Sequence, residues 1–243
     1  MKKIFSLFII HFYFFHAMSH ANNFAGGWKA GVATVNITPS TPMWIAGYGN
    51  RDHVAEGKLH DLWAKAVALE DKDGHKAVLI TIDICTFSKD LSDRLRDRLN
   101  KEKNLARADI IINCSHTHSG PVVGNSLANV YPLNAEQKLL VKNYTEKFEE
   151  QLAKVAIEAL DNLEPVELFA ENGLARFQVN RRNNNEASLL VQSELKGPND
   201  YSVPVIKIVG PSKKIKAIIF GYACHNTVLN GYEWSGDYAG FAQ

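Results

Sequence analysis

Two short apolar runs on either side of an amphipathic segment constrain the fold of this chain more than any other feature. The runs at residues 77–84 and 109–114 are rich in β-branched side chains, which favours strands. The segment between them, residues 89–103, follows a predicted N-cap at Ser88 and repeats leucine at every fourth position from Leu91. Strand, helix and strand in this order predict a βαβ unit with two parallel strands.

Further strand-like runs and a second helix extend this unit into a larger domain. The second helix is predicted from residue 134 to about residue 160, with Asn134 as N-cap and Gln137 in the capping-box position. Its apolar stripe, which we expect to pack in the core, is Leu140, Tyr144, Phe148, Leu152, Val155 and Ala159. The remaining predicted strands are residues 28–35, 62–69, 203–209 and 215–223. We therefore predict an α/β fold, with a mixed β-sheet flanked by helices and a parallel βαβ unit within it.

The first 21 residues predict an export signal. Lys2 and Lys3 precede an apolar stretch at residues 4–17, and small residues follow at positions 19 and 21. We expect cleavage after Ala21, an exported protein (periplasmic or extracellular), and one domain over residues 22–243. An uncleaved membrane anchor is the alternative. No later segment is apolar enough to predict a transmembrane helix.

Charge and cysteine content exclude two classes of protein. The formal net charge is +1, and the basic and acidic residues are evenly mixed, which argues against a nucleic-acid-binding surface. The three cysteines cannot all pair with one another, so the chain is not a disulfide-stabilised scaffold.

The most informative stretch is N-C-S-H-T-H-S-G-P at residues 113–121. Residues two apart in an extended segment point the same way, so the imidazoles of His116 and His118 converge. His225 is the one histidine after them, and it also follows a predicted strand. Ligands collect at the carboxyl ends of parallel strands, and imidazole nitrogen is a common zinc ligand. The pattern predicts a metal or catalytic site; the alternative is two histidines that only cap backbone groups.

Other polar residues near these strand ends are candidates for supporting roles. Asp83 ends one predicted strand, His60 precedes another, and Asp237 lies in the loop S-G-D-Y-A-G at residues 235–240. Each is a candidate to orient a metal ligand, and each is equally well interpreted as structural. The stretch R-F-Q-V-N-R-R-N-N-N at residues 176–185 offers arginines that could bind an oxyanion or a carboxylate, or it is a solvated loop.

Several stretches, in this order along the chain, resemble the N-terminal catalytic domain of the neutral/alkaline, non-lysosomal ceramidases. They are G-V-A-T-V-N-I-T-P at 31–39, G-Y-G at 47–49, L-H-D-L-W-A-K-A-V-A-L-E-D at 59–71, S-H-T-H-S-G-P at 115–121, V-N-R-R at 179–182, and Y-A-C-H-N-T through S-G-D-Y-A-G at 222–240. The resemblance spans nearly the whole chain after the export signal.

The resemblance implies an activity and a set of site residues. It implies zinc bound by His116 and His225, with His118 and Arg181 facing the substrate to stabilise an oxyanion and handle protons. It implies that the metal polarises an amide carbonyl and activates water, so that N-acylsphingosine (ceramide), a lipid substrate, gives sphingosine and fatty acid. The family completes its zinc site with an acidic residue and a tyrosine much further along, so we expect the chain to be a C-terminally partial form of the domain.

Four other functions are weighed against this one. Gly124 to Ala128, around Ser126, faintly resembles the nucleophile elbow of serine hydrolases but lacks its second glycine. Cys114 or Cys224 could act as a nucleophile, because each lies near a histidine. A barrel amidohydrolase also begins with H-x-H, but it needs two more downstream histidines. The last alternative is a non-catalytic carbohydrate- or lipid-binding module on a hydrolase fold.

Overall fold

The computed structural model describes residues 27–127, 129–185 and 195–243. The predicted export signal and its cleavage site lie outside these ranges. The strands are β1 (Trp28–Asn36), β2 (Gly57–Lys58), β3 (Trp63–Glu70), β4 (Lys76–Ile82), β5 (Ile110–Cys114), β6 (Glu164–Leu174), β7 (Ser202–Val209), β8 (Ile215–Phe220) and β9 (Glu233–Trp234). The helices are α1 (Lys89–Lys103), α2 (Ala135–Asp161) and α3 (Asp237–Ala242), with a 3-10 turn at Arg107–Asp109.

A seven-stranded mixed sheet forms the centre of the fold, in the order β5-β4-β3-β1-β6-β7-β8. Strands β4 and β5 are parallel, with Ile80 opposite Ile112, and helix α1 connects them. The other neighbouring pairs of this sheet are antiparallel. The predicted α/β class and the predicted βαβ unit are therefore confirmed.

Both long helices begin at the residues that the sequence indicates. The Ser88 side chain accepts a hydrogen bond from the Leu91 backbone N–H at 3.4 Å, which caps α1. At α2 the capping box is complete: the Asn134 side chain accepts from Gln137 N–H at 2.9 Å, and the Gln137 side chain accepts from Asn134 N–H at 3.2 Å. These local interactions fix where each chain segment turns to pack on the sheet.

The two long helices cover one face of the sheet; the other, which we call the open face, is not covered by either of them. Helix α2 packs on β1, β3 and β4. The buried alanines of β3, Ala64, Ala66 and Ala68, let the helix approach closely, while Lys65 and Val67 between them point to the open face. The open face lines a cavity of about 1180 Å³ that also reaches the loops after β5 and β8.

The structure differs from the sequence-based prediction in several places: the short strands β2 and β9 were not predicted, and helix α3 begins within the predicted loop at residues 235–240. Strand β4 ends at Ile82 and β8 at Phe220, two and three residues earlier than predicted. Strand β6 was missed: most of its residues are exposed, so it lacks the alternating pattern that identifies a half-buried strand, and Pro165 lies near its start. In the predicted stripe of α2, Leu140 is only half-buried.

Replacing Phe148 with alanine should destabilise the fold by about 3–5 kcal/mol, because the ring is fully buried and its removal leaves a cavity. The ring packs against Phe87 and Tyr144 at centroid distances of 6.3 and 5.9 Å. Chemical denaturation measures the change. Phe169→Ala is the matched control, because that ring is 47% exposed and its loss should cost far less. Equal losses for the two variants would contradict the packing described here.

Within the described ranges, no helix has the length and apolar character needed to cross a bilayer.

Candidate active site

Three histidine side chains meet at the edge of the sheet. His116 and His118 come from the loop after β5, and His225 comes from the loop after β8. The His118 Nε2 atom lies 3.4 Å from His116 Nε2 and 3.2 Å from His225 Nε2. The ring centroids are 4.7 to 5.0 Å apart. The structure thus brings together His116, His118 and His225, the three histidines that follow predicted strands, over more than 100 residues of chain.

The tautomer of His116 follows from one hydrogen bond. His116 adopts a positive φ of 59°, which is uncommon for a non-glycine residue and turns the ring back toward β4. Its Nδ1 lies 2.6 Å from the carbonyl oxygen of Cys85. A carbonyl oxygen can only accept, so Nδ1 carries the proton and donates it. In the neutral ring, Nε2 then keeps its lone pair, and this is the atom nearest His118.

Burial and mutual repulsion keep two of the imidazoles neutral. The pKa of His118 is lowered to about 4, chiefly because the ring is buried and also because His116 and His225 lie beside it. The pKa of His225 is lowered by burial, by His116 and by the charge of Arg181. Neutral imidazole is the form that binds a metal ion.

These donors fit a metal ion such as zinc in kind and in placement. His118 Nε2 lies 3.4 Å from His116 Nε2 and 3.2 Å from His225 Nε2, separations expected of nitrogen ligands about 2.0–2.1 Å from one tetrahedral zinc ion. A second set, Cys85, His116 and His118, also has ligand atoms within 4.8 Å of one another. However, the Cys85 sulfur lies 3.7 Å from His116 Nδ1, the nitrogen already used by a carbonyl, and burial raises the thiol pKa to about 11. Since metal ions bind the thiolate, the histidine set is the better candidate.

Arg181 lies in a turn that leads away from β6 and is exposed. It is near enough to His225 for its charge to lower the pKa of that imidazole. Among the described hydrogen bonds, none joins the Arg181 guanidinium to the three imidazoles.

Asp237 supports the loop that carries His225. The carboxylate is fully buried, and its two oxygens accept from the backbone N–H groups of Val228 at 3.1 Å and Leu229 at 2.7 Å. These bonds close the chain just after His225 and fix its direction. Asp237 thus acts on His225 through the backbone.

His60 and Asp83 are placed as structural residues. The His60 Nε2 atom lies 3.0 Å from the Ser235 hydroxyl oxygen, so His60 supports the segment just before α3. Asp83 is buried, and its Oδ2 accepts from the Trp63 backbone N–H at 3.0 Å, which fixes the start of β3. Neither makes a described hydrogen bond to the three histidines.

The sequence did not single out the residues that tie the two histidine loops together. The buried Thr117 hydroxyl donates to the Ser235 carbonyl at 2.6 Å, and the Ser235 N–H donates to the Ser119 carbonyl at 3.0 Å. The Asn226 side chain donates to the Gly236 carbonyl at 2.9 Å. The loop at 235–236 is therefore a bridge between the two strand ends. The sequence gives one indication of this bridge: each residue that takes part in it lies within two positions of a histidine of the cluster or of Asp237.

The rival nucleophiles are poorly placed. Gly124 and Asn125 line a separate cavity of about 620 Å³ whose described lining residues include no histidine to act as base. Burial raises the pKa of Cys114 to about 12, with a further contribution from Cys85, and burial also raises the pKa of Cys224. Both thiols are therefore protonated and unreactive at neutral pH.

The lowered pKa of His118 predicts a pH-dependent stability for the metal-free protein. An unfolded histidine titrates near pH 6.5. Between about pH 6.5 and pH 4 the unfolded chain therefore binds more protons than the folded one, because His118 in the folded protein stays neutral down to about pH 4. The free energy of unfolding should fall as the pH is lowered through this range. Denaturation midpoints across this range measure the loss. His118→Gln should show a shallower slope than the parent; identical slopes would contradict the assignment.

Fold and site together define an α/β protein with a cluster of three histidines at the carboxyl edge of its parallel strands. The family model described as neutral/alkaline non-lysosomal ceramidase, N-terminal, matches residues 28–243. The chain belongs to this family, as its sequence motifs indicated.

Individual relatives agree with the family assignment. The chain is 24% identical over 231 residues to neutral ceramidase B of Dictyostelium discoideum, covering 88% of this chain and 31% of that protein. It is 31% identical over 99 residues to neutral ceramidase 2 of Arabidopsis thaliana, covering 37% of this chain and 12% of that protein. The crystal structure of neutral ceramidase from Pseudomonas aeruginosa shares the fold, with a TM-score of 0.73 at 19% identity over 89% of this chain and 35% of that one. The chain spans about a third or less of the length of each of these relatives.

Proposed function

We propose that this protein is a zinc-dependent amide hydrolase that cleaves N-acylsphingosine into sphingosine and fatty acid. The observation that carries the proposal is the convergence of three imidazole Nε2 atoms, with neighbouring separations of 3.2 and 3.4 Å, at the edge of the sheet. Membership of the ceramidase family supplies the substrate class.

Two histidines are proposed as the zinc ligands. His116 offers Nε2 because its Nδ1 is committed to the Cys85 carbonyl, an arrangement that orients metal-binding histidines in general. His225 offers Nε2 from a loop that Asp237 holds in place. A zinc ion at this position would polarise an amide carbonyl and lower the pKa of water.

His118 and Arg181 are proposed to face the substrate. His118 is neutral at neutral pH, because its pKa is lowered to about 4, so its ring can accept a hydrogen bond from a water molecule that approaches the site. The Arg181 guanidinium is permanently charged and can donate two hydrogen bonds to an oxygen that gains negative charge. Its exposure leaves those donors available to a substrate.

The adjoining cavity supports a lipid substrate. It holds about 1180 Å³, includes His116 and His225 in its lining, and runs along the open sheet face past apolar side chains such as Val67, Leu79 and Ile218. A hydrocarbon chain would lie on these side chains while its amide group lies near the histidines. Export from the cell, which the N-terminal sequence predicts, fits a lipid substrate taken from outside.

Incubation with a fluorescent short-chain ceramide tests this function directly. We expect release of the labelled fatty acid together with sphingosine, loss of turnover with a zinc chelator, and recovery on adding zinc back. His116→Ala should be inactive. A protein that binds the ceramide tightly but releases no fatty acid under any metal condition would instead be a lipid-binding module, and the hydrolase proposal would be wrong.

A further inference from the structure

Arg51 is a buried arginine close to the histidine cluster. Only 5% of the residue is exposed, and its guanidinium donates from Nη2 to the His118 carbonyl at 3.1 Å and from Nη1 to the Asn230 carbonyl at 3.0 Å. Asn230 belongs to the loop that follows His225. One side chain therefore joins the backbone of both histidine loops.

Aromatic rings hold the guanidinium in this position. Its central carbon lies 4.4 Å from the centre of the Tyr232 ring and 5.2 Å from that of Tyr48. The Tyr48 ring packs edge-on against the His118 imidazole at 4.7 Å, and its hydroxyl donates to the Leu229 carbonyl at 3.0 Å. Tyr48 and Arg51 thus contact the same two loops from one short segment of chain.

Burying a charged side chain costs free energy, and the hydrogen bonds of Arg51 offset that cost only when the two histidine loops are correctly spaced. Both described hydrogen bonds of its side chain go to backbone carbonyls, and its buried Nε has no partner among the described residues. The planar fork satisfies two carbonyls at once only when the two loops keep their present separation. A lysine could reach one of the two carbonyls, but it has no fixed fork.

We propose that Arg51 is a positioning residue that sets the separation and orientation of His118 and His225. The inference rests on the proposed metal site, but it concerns the imidazoles themselves, so it makes a prediction for the metal-free protein as well. Nothing in its sequence neighbourhood, N-R-D-H, distinguishes Arg51 from a surface arginine; the assignment comes from the contacts.

The test uses the full chain and compares three variants. Arg51→Met removes the charge and the fork but keeps an apolar body between the tyrosines, and Arg51→Lys keeps the charge. Arg96→Met is the matched control: Arg96 also joins two backbone carbonyls, those of Arg107 at 2.7 Å and Ile110, but far from the histidines, at the base of β5. All variants are measured by thermal unfolding, by the ring-nitrogen NMR signals of the histidines without metal, and by titration with Co²⁺.

Arg51→Met should shift the ring signals of His118 and His225 while those of His60 stay in place. It should weaken Co²⁺ binding about 10–100-fold, the effect typical of residues that orient metal ligands, and alter the Co²⁺ absorption spectrum at saturation. Arg51→Lys should show the same spectral change, with a smaller loss of stability. Arg96→Met should lower the unfolding temperature without changing ring signals, affinity or spectrum.

Unchanged ring signals in both Arg51 variants would overturn the proposal, and so would a spectrum at Co²⁺ saturation identical to that of the parent. If Arg51→Met does not fold, Arg51→Lys decides. A parent protein that binds no Co²⁺ would contradict the metal site of the proposed function, while the metal-free ring signals would still decide the role of Arg51.

Discussion

Alanine in place of His116 is expected to weaken zinc or cobalt binding by more than about 100-fold, the upper value for loss of a residue that merely orients a ligand. The reason is that His116 Nδ1 is committed to the Cys85 carbonyl, so Nε2 is a preoriented donor, and its loss removes one of the two proposed ligands. His225→Ala should have a similar effect. Titration against a competing chelator gives the affinities, and elemental analysis gives the metal content per chain.

Two matched variants sharpen this result. His75→Ala removes a histidine that is exposed and paired with Asp109 at 3.1 Å, so it should leave the affinity unchanged. Cys85→Ser separates the two candidate ligand sets. A small effect on metal affinity would support the set of three histidines. A loss of affinity as large as that of His116→Ala would show that the sulfur is a ligand. Metal retained in both His116→Ala and His225→Ala would contradict the proposed site altogether.

The parts of the fold that the sequence predicts correctly are those decided by local interactions. The N-cap and leucine repeat of α1, and the capping box and apolar stripe of α2, involve residues three or four apart, so they are visible in the sequence. Strand β6 depends instead on pairing with β1 and β7, and its mostly exposed residues leave no periodic pattern. The unpredicted strand is thus one whose identity is set by its neighbours.

The candidate site divides in the same way. His116 and His118 are indicated by their spacing, and His225 by its position after an apolar run. In contrast, the residues that hold the imidazoles together act across long stretches of chain: Thr117 bonds to Ser235, and Arg51 bonds to the loop near Asn230. The sequence pattern therefore identifies the clustered histidines, but it does not identify the side chains that hold those histidines in position.

Alanine in place of Gly47 is expected to be the most damaging small substitution near the site. Gly47 has φ of +115°, a conformation that side chains rarely adopt, and an added Cβ would lie 2.3 Å from His118 Cγ and 2.6 Å from His118 Cβ. Backbone strain and the forced displacement of a buried ring should together destabilise the fold by about 2–5 kcal/mol. Chemical denaturation measures the loss, and the ring signals of His118 report the displacement.

Gly74→Ala provides the control for the backbone contribution, because Gly74 also has a positive φ, of +83°, but nothing lies within 4 Å of its missing Cβ. Its loss of stability should reflect strain alone, about 1–3 kcal/mol. The difference between the two variants then measures the contact with His118. If Gly47→Ala costs no more than Gly74→Ala and leaves the His118 ring signals unchanged, the imidazole does not lie against Gly47, and the histidine cluster described here would have to be rearranged. If the cost is larger and the ring signals move, the G-Y-G stretch is part of the site, because its first glycine leaves the space that the His118 ring occupies.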